Sequence, residues 1–422
     1  MNILIKSVTV IDPHSAHNGK KVDLLVEKGI ITEIKASIKA DKNYKVIESS
    51  DLCVSPGWLD MQANFRDPGF EYKEDLQSGA KAAAQGGFTG VCVMPGTNPP
   101  LHSKTQIDYV LNKTRNNLVD VYPVGCISDG HEGKELAEMY DMKQSGAIAF
   151  SDDKKAVKDA GLLVRALQYS SNINSFIITH CDDKTISHDG KMHEGETSTR
   201  IGLKGIPALA EEIMVQRNLA ILEYTGGKLH FPTISTKGSV ELIKQAKAKG
   251  LRVSAGVAAH NLLLEDTSLA EFDTHYKVNP PLRGKEDLEA LKRGLSNGTI
   301  DVIVSDHSPE DIENKDLEFD FAASGITSLE TAYASANTAL TKLSRETIVE
   351  KLAVQPRKIL GIKLPLIKEG QEANLTVFDP SLKWKFENKH IQSKSRNTPF
   401  IGSTFTGKAI AVLNNKQVYL SV

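Results

Sequence analysis

The sequence predicts an α/β protein, a (β/α)8 TIM barrel with a small β-sandwich domain formed by both termini. Three observations lead there. Across residues 55–364, about eight short apolar runs alternate with helix-like segments. The two ends, residues 1–54 and 365–422, read instead as short strands and turns. Polar side chains recur just after the apolar runs, where a TIM barrel builds its active site.

In chain order, "ILIKSVTVID", "KKVDLLVEKG", "IITEIKA" and "YKVIES" read as strands. The apolar runs follow: "CVSPGWLDMQA", "GVCVMPG", "VDVYPVGCIS", "GAIAFSDD", "SFIITHC", "KLHFPTIS", "RVSAGVAAH" and "IDVIVSDHS". Continuous apolar strands alternating with helices mean a parallel sheet covered on both faces. A doubly wound open sheet is the alternative to a closed barrel. "YKEDLQSGAKAAAQGG" reads as a helix with its C-cap at Gly86-Gly87. "GIPALAEEIMVQRNL" reads as another, with Pro207 early in it. The C-terminal segment reads as strands at "ANLTVFDP", "WKFENK" and "GKAIAVLNNKQVYLSV", turning at Asn414-Asn415. Neither end alone has enough apolar faces for a core, so a joint domain is expected.

Composition narrows the function classes. The 422 residues are 40% apolar and 25% charged, as in ordinary globular proteins. A net charge of -2 gives no electrostatic case for nucleic acid or an anionic membrane. Cys53, Cys92, Cys126 and Cys181 form no CxxC pair and read as reduced core thiols. The start, "MNILIKSVTVID", lacks a signal-peptide layout, and no apolar run reaches the roughly 20 residues of a membrane helix. A cytoplasmic protein is expected.

The polar residues after the runs form a pattern. Gln62, Asn64 and Arg66 follow the first strand and Asn98 the second. Asp152 and Asp153 follow the fourth, His180 ends the fifth and Thr233 the sixth. His260 follows the seventh, and Asp306 and His307 the eighth. One such residue means little, since strand ends meet water. Recurrence around the barrel points to a present or former active site.

Taken with longer motifs, the chain resembles the dihydroorotases of the amidohydrolase superfamily, of the bacterial type that associates with aspartate carbamoyltransferase. The motifs include "PGWLDM", "RDPGFEYKEDL", "AAAQGGFTGVCVMPGTNP" and "HEGETSTRIGLKGIPALAEE". They continue through "VNPPLR", "SDHSP", "GITSLETA", "IKEGQEANLTVFDP" and "SKSRNTPFIG". The resemblance implies the same barrel and sandwich. It also implies zinc-dependent, reversible hydrolysis of the cyclic amide of dihydroorotate to N-carbamoyl-aspartate, in pyrimidine biosynthesis, by a homodimer.

The resemblance places metal ligands at six positions. Asp153, His180 and Asp306 match, and Asp306 matches the catalytic general base. Gln62, Asn64 and Thr233 stand where the family has histidine. Carboxamide and hydroxyl oxygens are weak zinc donors, so zinc is expected to be absent or weakly bound. Arg66, Asn98 and Asn279 match substrate-binding positions. Glu310 replaces a histidine there and is expected to repel an anionic substrate. Gly256 replaces an acidic residue and Asn261 a histidine, whereas His260 is kept.

Gln62 and Asn64 are therefore expected to be satisfied polar groups at the barrel mouth. Without metal, Asp153 and Asp306 crowd two carboxylates, so one is expected to be raised in pKa or paired with His180 or a nearby lysine. Lys154 and Lys155 are expected to be solvated. His188, His193 and His230 read as structural or loop residues, and His102 and His131 have no supporting constellation. A catalytically impaired scaffold or regulatory partner, with aspartate carbamoyltransferase as its implied partner, is the leading expectation. An active cyclic amidohydrolase with a reduced, single-metal site is the alternative.

Overall fold

The computed structural model describes residues 2–422. Its barrel strands, first to eighth, are Trp58–Ala63, Phe88–Val93, Asp120–Pro123, Phe150–Ser151, Ile177–Ile178, Leu229–Phe231, Val253–Ala258 and Val302–Val304. The first three pair in parallel, as do the last five. Two parallel bridges close the gaps, Gly125 to Phe150 between third and fourth strands and Ala63 to His307 between first and eighth. The sheet is thus a closed barrel, not the open alternative. The first, second and seventh strands are buried along their whole length, as a sheet with both faces covered requires.

The helices begin where local chemistry starts them. The helix predicted over "YKEDLQSGAKAAAQGG" spans Leu76–Gln85, shorter at its start than the sequence suggested. Asp75 caps it, its carboxylate accepting the Gln77 and Ser78 N–H groups at 2.8 Å each, and Gly86 ends it. Ala208–Thr225 follows Pro207, which stands just outside the first turn.

The terminal segments share one eight-stranded sheet. Cys53–Pro56 lies at its centre, parallel to Asn2–Val10 and antiparallel to Leu375–Lys385. Most of "ANLTVFDP" and the first two residues of "WKFENK" belong to a single strand, Leu375–Lys385, whose register shifts around Pro380. Proline cannot donate to the ladder, and the bulge accommodates it. The sheet curls until its far ends meet. Gly29, in one outer turn at φ +84°, lies so close to Lys416 in the other that a Cβ would sit 2.6 Å from the Lys416 Cγ. Ile5, Leu24, Val377 and Leu413 then share one core, which is the sandwich.

Trp58 joins the two domains. It is fully buried, its ring centroid 4.5 Å from that of Tyr333, 5.3 Å from Phe378 and 6.2 Å from Phe88. Phe378 belongs to the terminal sheet and Phe88 to the second barrel strand. The Trp58 indole N–H donates to Ser55 Oγ at 3.0 Å. All four cysteines are buried and unpaired, as expected. Among the described residues, no helix is long and apolar enough to cross a membrane.

Candidate functional site at the barrel mouth

The C-terminal ends of the strands enclose a cavity of about 270 Å³. Its lining includes Asn64, Arg66, Asp153, Asn279 and Asp306 from the sequence reading, together with Lys154. A larger space of about 740 Å³ lies at the other end of the third strand, bounded by Asp120, Asn374 and Lys416, and contains none of these residues.

Asp153 and Asp306 are brought together, and each is already occupied. Asp153 sits at φ +49°, beside Gly96, where a Cβ would lie 2.6 Å from its Oδ2. Asn64 Nδ2 donates to Asp153 Oδ2 at 2.7 Å and Gln62 Nε2 to Oδ1 at 3.3 Å. Asn64 is the satisfied group expected of it. Gln62 is only half so, because its Oε1 has no partner. Lys154 Nζ donates to Asp306 Oδ1 at 2.6 Å and to the Asn279 carbonyl at 2.7 Å. Lys154 is therefore not solvated as its sequence context suggested, whereas Lys155 is exposed. Burial pushes the Asp306 carboxyl above its usual range and the Asp153 charge adds to this, while Lys154 pulls it back.

The retained imidazoles are neutral. His180 is buried, and burial first, then the Lys154 charge, lower its pKa to about 3. His260 is lowered to about 3 by the same two causes. The ring nitrogens of both, and the Thr233 hydroxyl, are buried without hydrogen-bond partners. His230 is equally buried but bonds Ser254 Oγ at 2.8 Å.

Part of this donor set is already engaged by protein N–H groups. Both oxygens of Asp153 and one of Asp306 accept protein N–H groups. At Gln62 and Asn64 the amides present hydrogens toward Asp153, where a ligand must present a lone pair.

The anion side is also closed from within. Arg66 donates through Nη2 to Glu310 Oε1 at 2.8 Å and through Nε to the Pro309 carbonyl at 3.2 Å. Lys73 Nζ donates to the other Glu310 oxygen at 2.6 Å. Glu310 is buried between these two cations rather than facing a ligand, which corrects the expectation of simple repulsion. Asn98 is exposed and stands outside the cavity lining. Its N–H donates to the Pro68 carbonyl at 2.9 Å. At Gly256 a Cβ would lie 2.4 Å from the Pro232 carbonyl oxygen, so no acidic side chain fits without a backbone shift.

Sequence reasoning placed His307 at the mouth but missed its supporting role, and it missed Glu74, Glu211 and Arg283 altogether. His307 is fully buried; its Nδ1 accepts the Ser328 N–H at 3.1 Å and its Nε2 donates to Glu74 at 3.3 Å. This anchors the chain next to Asp306. Glu211 accepts the Ser235 and Thr236 N–H groups at 2.9 and 3.1 Å, and Arg283 donates to Ser235 Oγ at 3.0 Å. They hold the loop that follows Thr233. Both Glu74 and Glu211 lie inside motifs that the sequence already marked, which was the available signal.

Comparisons with known proteins agree with this barrel. Residues 52–239 match the family model described as dihydro-orotase-like. A dihydroorotase of Geotalea daltonii is 42% identical over 423 residues, covering 99% of each chain. That of Acetivibrio thermocellus is 43% identical over 420 residues, covering 99% of this chain and 98% of its own. Among solved structures, the L-hydantoinase (dihydropyrimidinase) of Arthrobacter aurescens superposes with a TM-score of 0.85 at 24% identity, covering 99% of this chain and 96% of that one. The last likeness is one of fold, and the full-length identity to the first two carries the assignment: the chain belongs to the dihydroorotase family.

Proposed function

We propose that this chain is a dihydroorotase-family barrel without zinc-dependent hydrolysis of dihydroorotate, acting in the cytoplasm as a homodimeric scaffold or regulatory partner in pyrimidine biosynthesis. Aspartate carbamoyltransferase is the partner the family suggests. The observation that carries the reading is that the positions matched to metal and substrate are paired within the protein. Arg66 is bound to Glu310, Asp306 to Lys154, and Asp153 to two amides. A substrate carboxylate reaching Arg66 would have to displace one internal ion pair, and a metal ion at Asp306 another.

The test is dihydroorotate turnover in both directions with purified full-length protein and added Zn²⁺. No rate above the protein-free control is expected. Turnover that rises with zinc and falls with a chelator would replace this reading with the second one. In that second reading the chain is an active cyclic amidohydrolase using a single metal on Asp153, His180 and Asp306. It is favoured by one observation, the neutral, unpartnered imidazole of His180.

The anion side makes its own prediction. Glu310→Gln should free Arg66 for a bidentate carboxylate contact. A charge-assisted hydrogen bond is worth about 1.5–3 kcal/mol, so N-carbamoyl-aspartate should bind about 10–100-fold more tightly. Calorimetric titration of both proteins checks it. Equal affinities would mean that Glu310 does not compete for Arg66.

A further inference from the structure

We propose that the Lys154 ammonium stands in for the metal charge of this barrel mouth, and that it excludes a divalent ion independently of the three replaced histidines. The inference rests on the reading that zinc-dependent hydrolysis has been given up, and it names the residue that enforces the change.

The argument begins with charge. Gln62, Asn64 and Thr233 in place of histidine account for weak binding only. They leave Asp153 and Asp306 buried together, and buried carboxylates need a compensating cation or a proton. Lys154 supplies the cation. It directly follows Asp153, so two consecutive residues deliver a carboxylate and an ammonium to one cavity. Two contacts fix the ammonium, one to Asp306 Oδ1 at 2.6 Å and one to the Asn279 carbonyl at 2.7 Å. Its side chain is about three-quarters buried, so solvent screens it only partly.

The ammonium also lines the same cavity as Asp153, Asn64 and Arg66, so its charge faces the matched positions of the mouth. A single positive charge pairs with Asp306 without demanding lone pairs from the neighbours, and the amide hydrogens of Gln62 and Asn64 serve Asp153. A dication entering the same space would meet an ammonium a few ångströms away. At an effective dielectric near 20 and a separation of ~5 Å, that repulsion weakens binding by about ten-thousandfold or more.

The experiment compares two full-length variants after chelator washing and dialysis against zinc. One is Gln62→His/Asn64→His/Thr233→His. The other carries the same changes plus Lys154→Ala. Zinc is counted by elemental mass spectrometry, and the coordination shell is read from the absorption of the cobalt(II) form. The triple variant should remain mostly zinc-free. The quadruple variant should take up stoichiometric metal with an affinity higher by about ten-thousandfold or more. Tight stoichiometric zinc on the triple variant, with Lys154 in place, would overturn the proposal.

A second arm needs no metal and decides the matter if the quadruple variant does not fold. Lys154→Met in the otherwise unaltered chain should lower the thermal midpoint, and adding Asp306→Asn should restore most of the loss. An unchanged midpoint, or no recovery in the double variant, would also overturn the proposal. These failures are distinct from failure of the proposed function, which would show as zinc-dependent turnover by the unaltered chain.

Discussion

Trp58→Ala is expected to lower the free energy of unfolding by about 3–5 kcal/mol. The ring is fully buried and touches Tyr333, Phe378 and Phe88, so truncation opens a cavity lined by three aromatic faces. It also leaves the Ser55 hydroxyl without its indole donor. The site resists collapse because its walls belong to different units, the barrel strand Phe88–Val93 and the terminal strand Leu375–Lys385. Urea unfolding followed by circular dichroism measures the effect. Trp58→Phe should lose clearly less, since a ring remains to fill the space. A loss under about 1 kcal/mol for the alanine variant would mean that the two domains are not joined through this residue.

Glu211→Ala should be comparably damaging, at about 3–5 kcal/mol, the range for breaking a buried charged network. Its carboxylate is buried and accepts two backbone N–H groups, at Ser235 and Thr236, as well as the Ser235 hydroxyl. Arg283 Nη2 lies 3.9 Å from the same carboxylate, and both side chains are almost fully buried. Alanine would leave the guanidinium charge buried beside two unpaired amides. Glu211→Gln keeps an acceptor oxygen and should recover part of the loss. Denaturant unfolding gives the magnitude. Hydrogen exchange at Ser235 and Thr236 should accelerate in the alanine variant. If exchange there is unchanged, the carboxylate is not what holds that loop.

The elements most legible in the sequence were those with a local cause. The barrel strands announce themselves as continuous apolar runs, because both faces of the sheet are covered. The helix at Leu76–Gln85 was readable from Gly86, but its start was placed too early, although Asp75 just before Leu76 is the capping residue that marks it. The strand Leu375–Lys385 was read as two because Pro380 usually ends a strand, and only a bulge in the register allows it to continue.

Within the candidate site, the residue types at the strand ends were legible in the chain. The matching motifs located Asp153, His180 and Asp306, and the carboxamides and hydroxyl at Gln62, Asn64 and Thr233 follow from the same register. Which charges meet was settled by the fold. Lys154 looked like one of two solvated lysines, yet it crosses the mouth to a carboxylate 152 residues further along the chain. Glu310 looked like a source of repulsion, yet it binds Arg66, 244 residues before it, and Lys73. Gly256 looked like a simple loss of acidity, yet the Pro232 carbonyl leaves its position no room for a side chain. The physical reason is common to all three. Strand and helix periodicity are written in neighbouring residues, whereas the partner of a long, flexible, charged side chain is set by barrel closure and by the burial that makes an unpaired charge costly.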